Sequence, residues 1–446
     1  MTQITEKEVA SPEQSGSPIY RRLQRLVNVE PEEIKALFWA FSYYFAILCG
    51  WYIVRPIRDE MGIAGGIENL PWMFTGTFLV MLAAVPFFGW VTSRYPRKQF
   101  LPYIYGFFIS NLLLFFGLFT SDITHAYVAR AFYVWASVFN LFIISIFWSF
   151  MADIFDTVQA KRLFGFIAAG GTAGALLGPM LTALLVVPLG AANLLILSAV
   201  FLGWPILCFN RLIAWKEKLQ AVSLGQNEPE KETDALNMGG SIFAGIHLVL
   251  RSPYLMGICL LILLLTTLAT FLYIQQAQII RDNFSDGSER TRLLAAMDFV
   301  TNALTIILQV FLTGRIVNRL GTGWTLAVIP IGLGVGFLIL GFSPVLAVLI
   351  VVQVLRRAGN YAIMRPAREM LYVVLDKEEK YKAKIFIDTV VYRGGDFFGS
   401  LIYSGLQILG LSLGGIAFVA VPLCGLWAWT SLKLGWKQEK MAGAGR

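Results

Sequence analysis

Charged groups set inside apolar helices carry the chemistry of this chain. Residues Tyr43 to Gly62, YYFAILCGWYIVRPIRDEMG, begin as an apolar and aromatic helix and end by loading Arg55, Arg58, Asp59 and Glu60 into the last turns. On a 3.6-residue helix Tyr52, Arg55 and Asp59 share one face, with Arg58 beside them. Pro56 removes one backbone donor there and bends the chain. Further on, Asp298, Asn302, Thr305 and Gln309 follow at spacings of 4, 3 and 4, one continuous helical stripe. Arg356 and Arg357 precede Asn360 and Tyr361, and Lys384, Asp388, Tyr392 and Asp396 recur at every fourth position with Arg393 adjacent. Adjacent arginines inside a membrane helix need carboxylate partners, an anion or water. What such a set offers is anion binding by guanidinium forks, with the acids balancing charge when the site is empty. Two milder roles compete: headgroup anchoring for the first cluster, and helix-to-helix hydrogen bonding for Asn302, Thr305 and Gln309.

These groups need apolar elements to hold them, and the composition supplies them. A hydrophobic share of 57% with only 14% charged residues, and a mean hydropathy of +0.66, do not describe a soluble protein of 446 residues; soluble domains carry about 25% charge. Runs of about 20 apolar residues, each long enough to cross a bilayer core, recur along the whole length. The chain is an all-α polytopic membrane protein. Cys49, Cys208, Cys259 and Cys424 sit singly in apolar runs, and His125 and His247 lie far apart. No disulfide framework, metal site or cofactor is indicated, and no catalytic signature for an enzyme.

The apolar segments fall at 34–58, 70–92, 100–119, 125–152, 163–187 and 190–211, then at 253–280, 293–314, 323–342, 344–372, 384–410 and 411–433. The expected organisation is an N-terminal arm (1–33), a six-helix half (34–211), a polar linker (212–252), a second six-helix half (253–433) and a tail (434–446). Basic residues cluster on one side: Arg94, Arg97 and Lys98; Lys161 and Arg162; Lys216, Lys218 and Lys231; Arg315 and Arg319; and the run from Arg365 to Lys384. By the positive-inside rule both termini face the cytoplasm. The net charge of +8 is then largely topogenic and calls for no nucleic-acid partner.

The halves repeat each other at about 224 residues. Gly89-Trp-Val-Thr-Ser-Arg94 matches Gly314-Arg-Ile-Val-Asn-Arg319, Arg58-Asp59 matches Arg281-Asp282, and Lys161 with Gly170-Gly171 matches Lys384 with Gly394-Gly395. Two six-helix pseudo-repeats are the layout of the major facilitator fold, in which substrate sits near the midplane between rocking halves. Gly170-Gly171-Thr172-Ala173-Gly174 and Gly332, Gly334 and Gly336 look like phosphate loops, but no Lys-Ser/Thr follows and both lie in apolar helices. Close helix approach is their expected role.

The Tyr43–Gly62 stretch resembles the first helix of bacterial relatives of the ATP/ADP translocase (nucleotide transporter) family. FWSFMADIFDTVQAKRLFGFIAAGGTAGALLGP, from Phe147 to Pro179, is similar to that family's fourth-to-fifth helix region. The resemblance implies exchange of anionic nucleotides through basic residues in the first and late helices with acids between, and Arg55 and Arg58 occupy the first-helix place. The expectation is a secondary transporter moving an anionic, phosphorylated solute, ATP/ADP or another nucleotide, by alternating access in a bacterial inner membrane. A monomer accords with it. Tyr52, Arg55, Arg58, Arg356, Arg357, Asn360 and Arg393 would bind substrate, with Asp59, Asp298, Asp388 and Asp396 as counter-charges. Arg94, Asp153, Lys161, Arg319, Glu369 and Lys384 would form gating loops that close the cytoplasmic side. A proton-coupled exporter of amphiphilic compounds and a non-transporting lipid-handling protein on the same fold are the alternatives.

Overall fold

With no water in a bilayer core, every backbone donor and acceptor must be met inside the chain, so long apolar runs become helices. The computed structural model describes residues 29–94, 97–121, 126–224, 244–376, 383–384 and 386–444. Most of the expected arm, the acidic part of the linker, and Lys377, Lys380 and Lys382 lie outside them. Four helices come first: α1 (Ile34–Ala64), α2 (Leu70–Arg94), α3 (Arg97–Thr120) and α4 (Ala126–Ile154). The next helical stretch, Thr157–Leu224, turns back on itself at Gly190, whose φ of 79° only glycine adopts without strain. It forms α5 (157–189) and α6 (191–224). Along α5, Gly170 and Gly178 meet Phe41 and Cys49 in ascending order. Along α6, Ser198 Oγ donates to Gly50 O and Trp204 Nε1 to Ser42 Oγ, in descending order.

After the short α7 (Ala244–Arg251) comes α8 (Pro253–Asn283). Gly321, at φ 70°, makes the same reversal between α9 (287–320) and α10 (322–342). The chain ends with α11 (Leu346–Leu371), α12 (Tyr392–Ile408, entered through a π-helical turn at Ile387–Val391) and α13 (Leu413–Ala444). Among the described residues, therefore, six long helices precede α7 and six follow it. Helices α1 through α6 bury one apolar core; α8 through α13 bury a second, which Ile63, Leu70, Met73 and Tyr133 of the first half join where α1 ends. The internal repeat persists in packing: Gly170 sits against Phe41 and Gly395 against Thr266, both partners 225 residues on.

Some boundaries differ from the hydropathy pattern. α9 starts at Gly287 rather than 293, because Asp286 Oδ2 accepts from the Glu289 N–H at 2.9 Å and caps its first turn. α6 and α13 run on to Leu224 and Ala444, well past the apolar runs, since nothing obliges a helix to stop at the headgroups.

α1 packs closely against α5. A Cβ on Gly174 would lie 2.3 Å from Phe45 O, and one on Gly178 2.6 Å from Cys49 O. The obstacles are backbone, so the helices must separate to admit a methyl group. Gly174→Ala should therefore destabilise the protein by about 1–3 kcal/mol, read as a lower melting temperature in detergent. Gly106→Ala, with open space around the new Cβ, should leave that temperature unchanged.

Candidate functional site

Between the two cores lies a space of two connected chambers. The larger, about 1050 Å³, is lined by Tyr44, Tyr52, Asn302, Thr305, Arg365, Arg368 and Asp388, toward the end of the molecule where α1 begins. The smaller, about 180 Å³, is lined by Asp59, Thr77, Tyr133, Tyr273, Gln276, Gln353, Arg356, Arg357 and Asn360, toward the end where α1 finishes. Arg55, Arg58, Tyr361, Tyr392, Arg393 and Asp396 line both and form the neck between them. Every residue expected to bind substrate lies on this space, as do Asp59, Asp388 and Asp396.

Ion pairs organise the walls. Asp298, 1% exposed, accepts from Arg357 Nη2, and its other oxygen is 3.6 Å from Arg55 Nε. One carboxylate thus joins arginines from opposite halves. Arg58 donates twice to Asp59 Oδ1, at 2.5 and 3.0 Å, and Tyr273 Oη donates to the same oxygen at 3.1 Å. Arg393 meets Asp396 and Arg368 meets Asp388, each at 3.4 Å. Arg365 stacks over the Tyr361 ring at 4.7 Å. Seven arginines (55, 58, 356, 357, 365, 368 and 393) face four aspartates (59, 298, 388 and 396), a formal surplus of three positive charges. The field of such a cavity favours anions.

Local sequence explains how α11 presents these groups. Pro366 has no N–H to give the Ala362 carbonyl four residues earlier, and α11 relaxes into a π-helical turn at Asn360–Met364. The freed carbonyl is met from α9, where Thr313 Oγ1 donates to Ala362 O at 2.8 Å. Thr313 itself lies in a π-helical turn, Gln309–Thr313, and the neighbouring Gln309 Nε2 reaches Tyr361 O at 3.4 Å. Asn302 bridges the halves, donating to Ala175 O at 2.7 Å and accepting from Tyr52 Oη at 3.5 Å.

The residues expected to gate lie apart from the chambers, and three contacts around them each join residues of one half. Lys384 Nζ donates to Glu369 Oε2 at 2.5 Å, Lys216 Nζ to the Asp153 carbonyl, and Arg162 Nη2 to Glu33 Oε1 at 2.9 Å. Lys161, Arg94 and Arg319 are exposed at helix ends. The second copy of the arginine–aspartate repeat, Arg281–Asp282, is exposed, unlike its buried counterpart Arg58–Asp59.

Sequence reasoning missed a cross-half ion pair. Glu60, 2% exposed, accepts from Arg290 Nη2 at 2.7 Å and Nε at 2.9 Å, while Arg290 Nη1 donates to Phe284 O at 3.2 Å. It lies beyond the small chamber, at the end opposite the large one. Neither residue belongs to a stripe, and their separation of 230 positions gives no local signal. Arg365 and Arg368 read both as topogenic charges and as members of the polar segment, Arg368 sharing a face with Arg357 and Tyr361, but not as substrate-binding residues.

The sequence model of the TLC ATP/ADP transporter family matches residues 119–437. ADP,ATP carrier protein 1 of Chlamydia muridarum (strain MoPn / Nigg) is 24% identical, over 97% of this chain and 92% of the carrier. The protein of the same name from Chlamydia pneumoniae is 23% identical, over 91% and 92%. Among solved structures, a bacterial homologue of the iron transporter ferroportin in an inward-facing state superposes with a TM-score of 0.61 at 14% identity, covering 91% of this chain and 98% of that one. That likeness shows the major facilitator fold. The family match, which extends over most of the chain and describes transporters rather than enzymes, settles the relationship: the chain belongs to the TLC ATP/ADP transporter family.

Proposed function

We propose that the protein exchanges ATP for ADP across a bacterial inner membrane by alternating access, with both termini in the cytoplasm. The surplus of three positive charges on a cavity between the two six-helix halves carries this reading. Guanidinium forks match phosphate oxygens in pairs, and neither a neutral nor a cationic solute would answer that surplus. Arg55, Arg58, Arg356, Arg357 and Arg393 bind the phosphates, Tyr52 and Asn360 complete the wall, and Asp59, Asp298, Asp388 and Asp396 hold the arginines while the site is empty. The large chamber opens toward the cytoplasm, and the Glu60–Arg290 pair shuts the opposite end. The loops carrying Arg94, Asp153 and Lys161 meet the loops carrying Arg319 and the Glu369–Lys384 pair across the halves only in the opposite state.

The names of the relatives support the nucleotide, and so do the tyrosines of the large chamber, which offer ring faces to a base. Purified protein in liposomes loaded with ADP should take up labelled ATP. Unlabelled ATP and ADP should compete, adenosine should not, and a protonophore should have no effect. Uptake that collapses with the protonophore, or that adenosine blocks as well as ADP does, would refute the proposal.

A further inference from the structure

One arginine of the small chamber is held unlike the rest. Arg58, Arg357, Arg368 and Arg393 each meet an aspartate, and Arg55 shares Asp298 with Arg357. Arg356 has no carboxylate within ion-pair reach among the described residues. Its Nε donates to Gln353 Oε1 at 3.0 Å, and Gln353 Nε2 donates to Gln276 Oε1 at 2.6 Å. Both glutamines are buried, at 2% and 4% exposure. The relay has one direction, because a guanidinium only donates: the Gln353 oxygen must face Arg356 and its amide nitrogen must face Gln276. A neutral amide thus aims Arg356 without cancelling its charge, where a glutamate would do both. Its terminal nitrogens make no hydrogen bond among the described residues, and the side chain lines the chamber.

The chambers differ in what they admit. Small-molecule sites usually occupy about 300–1000 Å³; the large chamber, about 1050 Å³, meets that and the small one, about 180 Å³, does not. A nucleotide therefore fits one way round, with the nucleoside in the large chamber and the phosphate chain through the arginine neck. Arg356 and Arg365 are nine residues apart on α11, roughly 13 Å of helix rise, so they cannot hold the same phosphate. Asp59 and Asp396 also line the small chamber, but each is engaged, by Arg58 with Tyr273 and by Arg393 with Thr270.

We propose that Arg356, aimed by Gln353 and Gln276, binds the terminal phosphate and makes the carrier select for phosphate-chain length. Di- and triphosphates reach Arg356; a monophosphate, with its nucleoside in the large chamber, stops at the neck. This rests on the nucleotide-exchange reading above. Gln353 is a positioning residue, and its conversion to glutamate is nearly isosteric.

The test is exchange of labelled ATP for ADP in proteoliposomes, with AMP, ADP and ATP as competitors. In the parent, AMP should compete at least about tenfold more weakly than ADP. Gln353→Glu and Arg356→Gln should each raise KM for ATP and ADP roughly tenfold while the inhibition constant of AMP stays put, so that selectivity for chain length collapses. A general packing defect would weaken all three nucleotides alike. Should Gln353→Glu not accumulate, Arg356→Lys, which keeps the charge and loses the fork, is read in its place with the same expectation. A parent that exchanges nucleotides but whose variants keep the ADP-to-AMP ratio, or lose all three equally, overturns this inference alone. A parent that exchanges no nucleotide overturns the function reading, and this inference with it.

Discussion

Asp298→Ala will cost the protein its stability as well as its transport, while Arg55→Ala will cost transport only. Asp298 is 1% exposed and holds Arg357 directly and Arg55 at 3.6 Å. Deleting it leaves two guanidiniums facing each other with no counter-charge, and breaking a buried pair from one side costs about 3–5 kcal/mol. Deleting Arg55 leaves the Asp298–Arg357 pair intact, so the fold keeps its buried pair while the cavity loses a phosphate-binding fork. The double variant Asp298→Ala/Arg357→Ala should recover much of the melting temperature, because the uncompensated cation leaves with its partner, and should still not transport. The non-additivity, read by thermal unfolding in detergent, should be about 2 kcal/mol or more. Additive losses would mean that the carboxylate does not bind the arginine in solution.

Glu60→Gln is expected to open the end of the molecule where α1 finishes. Arg290 meets Glu60 through two nitrogens, and one partner comes from each half. Rocking the halves into the opposite state must break this pair, so its strength weights the balance between the two states. Removing one partner of such a pair is worth about 2–5 kcal/mol, enough to move a population by tenfold or more. Thr77, buried in the small chamber, is the reporter: a cysteine placed there in a Cys-free background should react with an impermeant thiol reagent at least about tenfold faster in Glu60→Gln than in its parent. The charge exchange Glu60→Arg/Arg290→Glu should slow it again. Unchanged reactivity in Glu60→Gln would show that the pair does not hold that end shut.

The fold was legible because the bilayer makes length and hydropathy sufficient. Apolar runs mark the helices, and the repeat of Gly89–Arg94 in Gly314–Arg319 marks the halves. The cavity arginines were legible for the same reason, since Arg356 and Arg357 inside an apolar helix have few other uses. What the sequence concealed was partnership. Nothing local says that Asp298 serves Arg55 across the halves, that Glu60 turns away from Asp59 to meet Arg290, or that Gln276 reaches Gln353. The π-helical turn at Asn360–Met364 was also hidden, although Pro366 announces a missing donor, because Thr313 on another helix decides how the freed carbonyl is met. Charges near helix ends read two ways: Arg365 and Arg368 fit the positive-inside pattern and also line the large chamber.

The central claim is that an empty, net-positive cavity resists closing and an anion-filled one closes readily. Arginines crowded together, as these seven are, repel by several kcal/mol at an effective dielectric of about 20. The aspartates offset part of that, and a phosphate chain supplies the remainder. The direct measurement is efflux of labelled ATP from preloaded proteoliposomes into plain buffer and into buffer containing unlabelled ADP. Efflux should be slow into plain buffer and at least about tenfold faster into ADP. Equal rates in the two buffers would contradict the account.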